Sequence, residues 1–260
     1  MRISLARLLH TVAAAALLGM GLGPAIAAPA ETRRAEELEQ LRINTAYIIE
    51  AGEFEIDVVP SYFDYGNWQQ QGVEIELEYA LSERMMVEVE IPYYWLHFDG
   101  PAPGVSGAGN IEVAAKWMLA ERGGFAISFN AGVELPASKD RPKIAEDSWG
   151  TELTLPMSLY FPERHVRLHI EPGVGWQEHE GFEEQLLNIA VEHRPNGGNL
   201  ALQLGSNFVR ESGEVEGYLV PAFEISAADS AFQFGMAVAA GVTSESAHWG
   251  VLLDFEIEFQ

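Results

Sequence analysis

The stretch that decides the fold reads Val73-Glu74-Ile75-Glu76-Leu77-Glu78-Tyr79, and after Leu81-Ser82-Glu83-Arg84 it continues Val87-Glu88-Val89-Glu90-Ile91. Successive side chains of a β-strand point to opposite faces, so this alternation predicts a hairpin with one apolar face and one face of carboxylates. The pattern recurs as far as Phe255-Glu256-Ile257-Glu258-Phe259. The simplest environment for such a chain has water on one side of the sheet and lipid on the other.

The first residues have the pattern of a secretory signal peptide. Arg2 and Arg7 precede an apolar run, Leu8 to Leu18, and small residues suited to cleavage follow at 23–28. The run is too short for a membrane span. We therefore expect three parts: a signal peptide at 1–27, a periplasmic N-terminal segment at 28–46 and a transmembrane β-barrel at 47–260.

Charge and cysteine content narrow the class of protein. Of the 15 basic residues, Arg2 and Arg7 leave with the signal peptide. The mature chain then has 13 basic and 39 acidic residues, a net charge of −26. This charge disfavours binding to nucleic acid or to an anionic lipid surface. The chain has no cysteine, so an exported protein of this length holds together without disulfides. No mature segment has the ~18 consecutive apolar residues of a membrane helix.

The alternation predicts twelve strands, with lengths near the ~9–11 residues of a tilted membrane-crossing strand. Their approximate bounds are 53–63, 72–80, 85–97, 109–119, 124–135, 150–161, 165–177, 184–193, 199–209, 215–226, 231–241 and 249–259. The connections after strands 2, 4, 6, 8 and 10 are tight, those after 3, 5 and 7 longer, and those after 1, 9 and 11 intermediate. Short turns at one end are typical of outer-membrane barrels. The predicted fold class is therefore all-β, a twelve-stranded antiparallel transmembrane β-barrel of the bacterial outer membrane with periplasmic termini.

Aromatic residues indicate which face points outward. A soluble lipid carrier would have the inverse arrangement, apolar inside and charged outside. Aromatic rings gather where hydrocarbon meets head groups. Candidates for the belt at the long-loop end are Trp68, Trp95, Trp149, Trp176, Trp249, Tyr62, Tyr65 and Phe208, and Trp117 lies near a short turn. We therefore expect the apolar face to contact lipid.

Five prolines fall inside the predicted strands, and a closed barrel has no edge at which a missing N–H is harmless. They are Pro60, Pro92, Pro156, Pro172 and Pro221. Each is expected to mark a β-bulge or a strand end.

The third to fifth strands resemble a known family. The matching residues are Glu90-Ile91-Pro92-Tyr93-Tyr94, Gly107-Ala108-Gly109-Asn110-Ile111-Glu112, Ala115-Lys116-Trp117 and Val133-Glu134-Leu135-Pro136. They are similar to the outer-membrane transporter family whose members carry the label "MetA-pathway of phenol degradation". Asn110 replaces the family's Asp, and Ala137-Ser138 replaces its Thr-Gly. The resemblance implies an outer-membrane barrel that passes small, often aromatic or hydrophobic molecules.

If Val73, Ile75 and Leu77 face lipid, the alternate residues face the lumen. The predicted lumen-lining residues are Glu53, Glu55, Asp57, Glu74, Glu76, Glu78, Glu88, Glu90, Glu112, Lys116, Arg167, His169, Asp254, Glu256 and Glu258. Strand 12 and strands 1 to 4 would form an acidic wall with Lys116 as its one basic residue. The opposite wall, strands 5 to 11, is predicted to be small and nearly neutral.

Glutamates face glutamates in the hairpin of strands 2 and 3 in either plausible register. The pairs are 78 with 88 and 76 with 90, or 76 with 88 and 74 with 90. Such pairs are destabilising and persist if water screens them, if some carry a proton, or if cations lie between them. The pattern fits a cation-favouring pore, a cation site, or an ordinary solvated interior.

Other candidate sites have less support. Ser158, His169 and Glu171 have the residue types of a serine hydrolase, but Ser158 and His169 are predicted to face inward, away from any lipid substrate. His97, His179 and His193 are too scattered for a metal site. Residues 33–41 fit an amphipathic helix inside the lumen or a periplasmic tail.

The sequence therefore predicts a passive outer-membrane channel for small solutes, with no enzymatic activity and no cofactor. Aromatic or hydrophobic solutes and a cation preference are both expected. The alternatives are a non-conducting structural or interaction barrel, a lipid-acting enzyme and a soluble periplasmic carrier. Expected partners are outer-membrane lipid, small-molecule solutes and the barrel-assembly machinery during biogenesis, and no nucleic acid.

Overall fold

Antiparallel strands occupy most of the chain in a computed structural model. It describes residues 45–100, 103–137, 144, 148–178, 181–195, 199–211, 213–226 and 231–259. The predicted signal peptide, residues 28–44 and His179 lie outside the described residues. No helix among the described residues is long and apolar enough to cross a membrane.

The strands close into a single antiparallel barrel because β14 pairs with β1 and β9 pairs with β10. Their bounds are β1 Phe54–Asp64, β2 Trp68–Ser82, β3 Met85–Phe98, β4 Val105–Ala108, β5 Ile111–Arg122, β6 Phe125–Leu135, β7 Gly150–Thr154, β8 Met157–Phe161, β9 Val166–Gln177, β10 Gly181–His193, β11 Leu200–Glu211, β12 Glu214–Ser226, β13 Phe232–Gly241 and β14 Trp249–Phe259. The segments β7 and β8 are halves of one barrel strand, and β4 is a short addition to β3. The predicted twelve-stranded barrel is confirmed.

Among the five predicted prolines, all of which the structure describes, only Pro156 interrupts a strand, so that prediction is mostly wrong. Pro156 separates β7 from β8. At Pro92, β3 changes its partner from β5 to β4, and at Pro172, β9 changes its partner from β8 to β7. On either side of Pro60 and of Pro221, the strand pairing continues in the same register. The physical reason is that each residue of an antiparallel strand directs its N–H to one neighbour only, so a proline removes one bond without shifting the register.

The barrel has an apolar outer face and a polar inner face. Outward residues such as Ile75, Val113, Leu153 and Ile257 are about 40% exposed, whereas most charged residues of the alternation are buried. The apolar face therefore points outward, as predicted.

Two residues predicted for the outer aromatic belt lie inside instead. The Trp68 and Tyr65 rings are buried and stack with centroids 3.8 Å apart. Trp68 shares the inner face of β2 with Gln70 and Glu74, so its position follows the alternation. By contrast, Trp95, Trp149 and Trp249 are exposed on the outside.

The loops differ in length less regularly than predicted. The connection after the seventh barrel strand is short, since β9 ends at Gln177 and β10 begins at Gly181. The longer connections at that end follow β3, β6 and β13. Side chains of the last two loops, Ile144 and Ala247, join a buried apolar cluster inside this end of the barrel.

Candidate functional site

A row of carboxylates crosses six neighbouring strands on the inner face. The directly opposite pairs are Glu134–Glu112, Glu112–Glu90, Glu90–Glu76, Glu76–Asp57 and Asp57–Glu256. A second row, one step closer to the short turns, contains Glu88–Glu78, Glu78–Glu55 and Glu55–Glu258. Of the two registers left open by the sequence, the structure therefore has 76 opposite 90 and 78 opposite 88.

The other predicted lumen residues also lie on the inner face or border it. Glu74 and Asp254 continue the alternation of β2 and β14, and Glu53 is buried just before β1. Lys116 is 4% exposed on β5, and Arg167 and His169 occupy inner positions of β9. Both acidic rows end at β14 beside Gln233 of β13. The Gln233 Nε2 donates hydrogen bonds to Glu256 and to Glu258 (3.3 Å).

A cavity of about 310 Å³ lies between these rows and the N-terminal segment. It is lined by Thr45, Tyr47, Ile48, Ile49, Glu55, Asp57, Glu76, Glu78, Met86, Glu88, Glu90, Lys116, Gln233 and Glu256. Lys116 is the one basic residue among these lining side chains. The cavity is therefore acidic on the side of the barrel wall and apolar or aromatic on the side of the segment.

The N-terminal segment crosses the inside of the barrel. The backbone N–H of Ala46 donates to Ser158 Oγ on β8 (3.1 Å), on the far side from β1. The guanidinium of Arg167 lies 5.4 Å from the ring centroid of Tyr47. The segment then reaches β1 through a turn in which the N–H of Glu50 donates to Glu53 Oε2 (2.9 Å). Ala46, assigned to the periplasmic segment by the sequence, is fully buried here.

The wall predicted to be nearly neutral carries buried acids. Glu134, Glu171 and Glu192 are 8%, 1% and 8% exposed. Glu171 accepts a hydrogen bond from Asn188 (3.0 Å), and Glu192 pairs with Arg194 (2.9 Å). The prediction of one acidic and one neutral wall is therefore wrong. The alternation of Glu134 with Val133 and Leu135 is the sequence signal that identifies it as an inner residue.

Ser158 and His169 meet inside the barrel. Ser158 Oγ lies 2.9 Å from His169 Nδ1, and His169 Nε2 lies 4.0 Å from Glu192 Oε2. The acid beside this histidine is thus Glu192, not Glu171. Ser158 Oγ also accepts the Ala46 N–H, and both side chains are almost fully buried. The pair faces away from lipid and holds the chain's own segment.

Above the acidic rows, toward the long loops, the interior becomes apolar. The buried cluster there contains Val59, Phe63, Tyr65, Trp68, Tyr94, Leu96, Ile144, Tyr218, Val220, Ala239, Ala247 and Leu252. The last loop is fixed against it because Tyr218 OH accepts the Ala247 N–H (2.7 Å). The interior is thus divided along its axis into an apolar half and an acidic half.

Two groups of three glutamates have carboxylate oxygens within 4.8 Å of one another. They are Glu55, Glu256, Glu258 and Glu76, Glu88, Glu90. Oxygen ligands at this spacing suit hard cations such as Ca²⁺. Acidic side chains also lie this close without an ion, so the spacing alone does not define a metal site.

The arrangement defines a β-barrel of the outer-membrane type. It is similar to an outer membrane channel from Pseudomonas putida F1, with a TM-score of 0.62 and 12% identity over 90% of this chain and 100% of that one. It is also similar to the KdgM porin, solved with oligogalacturonate, with a TM-score of 0.55 and 6% identity over 79% and 98%. No family model matches the sequence. No curated protein matches it either.

Proposed function

We propose that this chain is a passive channel of the bacterial outer membrane for small solutes, and that its carboxylate rows favour cations. The observation that carries the proposal is the pair of rows facing a cavity inside a closed barrel. The apolar outer face supports a membrane location over a soluble carrier, which would expose its charges and bury its apolar residues.

The cation preference follows from the position of the charges. Ten carboxylates in the two rows face inward, and Lys116 is the basic residue on the cavity wall. A channel lined by one sign of charge concentrates the opposite ion, most strongly at low ionic strength. Aromatic or hydrophobic solutes, which the family resemblance implies, would meet the apolar half of the interior first if they entered from the long-loop end.

A second candidate function is a non-conducting structural barrel. The N-terminal segment and the apolar cluster both occupy the interior, and together they narrow any path. A lipid-acting enzyme has less support because Ser158 and His169 face inward. We therefore propose no enzymatic activity.

Planar-bilayer recording of the purified mature barrel tests the proposal. In a salt gradient, the reversal potential should report cation preference, and substituting Gln for Glu76, Glu78, Glu88 and Glu90 should reduce it. The matched control is Glu83→Gln with Glu163→Gln, which removes exposed charges at the turns. Anion preference would contradict the electrostatic argument.

If the wild-type protein shows no conductance, a second variant that lacks residues 28–49 distinguishes a blocked channel from a structural barrel. Conductance that appears only in this variant supports a channel filled by its own segment. Silence of both proteins in bilayers supports the structural barrel.

A further inference from the structure

Lys116 is the one basic residue among the side chains that line the acidic cavity. It lies on the inner face of β5, directly opposite Met86 on β3 and Asn130 on β6. Only 4% of the residue is exposed, although lysine is rarely buried to this degree unless it is paired. An ammonium removed from water in this way needs carboxylates close to it, because the loss of hydration is otherwise too costly.

Carboxylates attract the Lys116 ammonium from both directions around the barrel. Glu88 has the largest effect, and Glu78, Glu171 and Glu76 follow. The two glutamates of β2 and the one of β3 lie on one side of β5, and Glu171 of β9 lies on the other side. The ammonium is therefore held within the interior, where an ion that crosses the proposed channel would pass.

Two of these partners belong to a group of three glutamates that are spaced as ligands of one ion. Glu76, Glu88 and Glu90 are buried, and their carboxylate oxygens lie within 4.8 Å of one another. The other group of three, on β1 and β14, receives hydrogen bonds from the Gln233 amide. The first group therefore combines the ligand atoms for a divalent cation with a positive charge of the chain's own, Lys116.

An ammonium in this position acts on a mobile ion in proportion to the charge of that ion. The repulsion between Lys116 and a divalent cation is twice that for a monovalent cation at the same point, and it is stronger in the protein interior than in water. Without the ammonium, the buried carboxylates would offer a divalent cation the oxygen ligands that it prefers. An ion held firmly in this way stops conduction, since a permeating ion must bind weakly enough to leave.

We propose that Lys116 sets the ion specificity of the channel: its ammonium keeps divalent cations off the carboxylates of Glu76, Glu88 and Glu90, so that monovalent cations pass without being blocked. The lysine acts as a cation tethered to the wall, in the place that a metal ion would otherwise take. The consequence for conduction rests on the channel function proposed above, whereas the exclusion of divalent ions concerns the cavity itself. The competing role for Lys116 is a counter-charge that only allows the acidic strands to pack.

Equilibrium dialysis of the purified mature barrel against Ca²⁺, in detergent at low ionic strength, tests the exclusion. K116Q should bind one more Ca²⁺ than the wild type, with a Kd of about 10⁻⁴–10⁻³ M. K116R keeps the charge and should bind no more Ca²⁺ than the wild type. K116Q/E90Q removes one carboxylate of the group and should lose most of the gain. R84Q, which removes an exposed positive charge from the turn between β2 and β3, is the matched control and should leave Ca²⁺ binding unchanged.

A second variant covers the case in which K116Q alone does not fold. K116Q/E171Q removes one charge of each sign, so the net charge of the barrel is unchanged and the group of Glu76, Glu88 and Glu90 is intact. The amide oxygen introduced at position 171 can still accept the hydrogen bond that Glu171 accepts from Asn188. This variant should show the same gain of one Ca²⁺.

Folded K116Q and K116Q/E171Q barrels that bind no more Ca²⁺ than the wild type would overturn the proposal and leave Lys116 as a structural counter-charge. A wild type that binds Ca²⁺ and loses this ion in E90Q would also overturn it, because the ammonium would then not exclude the ion.

Bilayer recording separates this proposal from the channel function. Ca²⁺ at about 1 mM should reduce the monovalent conductance of K116Q at least twofold and leave that of the wild type and of K116R unchanged. Equal sensitivity of the three proteins to Ca²⁺ would contradict the specificity assigned to Lys116. If none of them conducts, even without residues 28–49, while K116Q still gains Ca²⁺ in dialysis, the channel function is refuted and the exclusion of divalent ions stands.

Discussion

Replacing Glu76 with Gln should stabilise the barrel. Glu76 is directly opposite Asp57 on β1 and Glu90 on β3, so it takes part in two like-charged pairs of the first row. Like charges in directly opposite positions destabilise a sheet by about 0.2–1 kcal/mol per pair. The amide keeps the shape of the side chain and removes both repulsions. The free energy of unfolding should therefore rise by about 0.4–2 kcal/mol.

Urea unfolding of the barrel in lipid vesicles, followed by tryptophan fluorescence, measures this change. Glu90→Gln and the double variant complete a mutant cycle. Because the two residues share one repulsion, the double variant should gain less than the sum of the single gains, by about 0.2–1 kcal/mol. Glu83→Gln, in the exposed turn, is the matched control and should change little. At 1 M salt, where the Debye length is about 3 Å, the gain should diminish.

A loss of stability in Glu76→Gln would refute the reasoning. That result would mean that the carboxylate has a favourable partner: Lys116, which lines the same cavity, or a cation held by the nearby oxygens of Glu88 and Glu90. Strict additivity in the cycle would also contradict the argument, since it would show that Glu76 and Glu90 do not repel each other across the two strands.

Three further predictions concern other parts of the barrel. Leu77→Arg should block assembly, because a cation near the bilayer midplane costs about 2–4 kcal/mol; loss of the heat-modifiable band on a gel checks this, and normal assembly would reverse our face assignment. Gly250→Leu should destabilise the apolar cluster by about 1–3 kcal/mol in urea unfolding, since a Cβ there meets the Phe63 ring. Tyr47→Leu should make residues 45–50 more sensitive to protease in the folded barrel, because it removes a cation–π contact with Arg167 of about 0.5–1 kcal/mol; unchanged protection would show that other contacts hold the segment.

The strands were predictable because their signal is local. In the hairpin of β2 and β3, a period of two extends over most of both strands, and a tight turn limits the register to two choices. The choice between these registers depends on the β-bulge at Leu81, which adds one residue on one strand. Because a leucine at position 81 does not indicate a bulge, the sequence alone leaves both registers of the hairpin possible.

The interior was less predictable, since its composition depends on non-local contacts. Trp68 was placed in the outer belt from the general preference of tryptophan for interfaces, although its alternation with Gln70 and Gly72 assigns it to the inside. The position of Ala46 against Ser158 joins residues 112 apart in the chain, and no local pattern specifies such a contact.

The interior is divided along the barrel axis because the inward-facing residues of one strand change from acidic to apolar along its length. Toward the short turns, the inner positions of β1 are Glu55 and Asp57, and toward the long loops they are Val59 and Phe63. In the proposed channel, a solute that crosses the barrel must therefore satisfy two environments in series. The apolar half admits it only by separating packed rings, which limits its size and its rate, whereas the acidic half acts on its charge. The proposed channel therefore assigns size selection and charge selection to different residues: substitutions at Phe63 or Trp68 should leave its ion preference unchanged, and neutralising the glutamate rows should leave the width of the path unchanged.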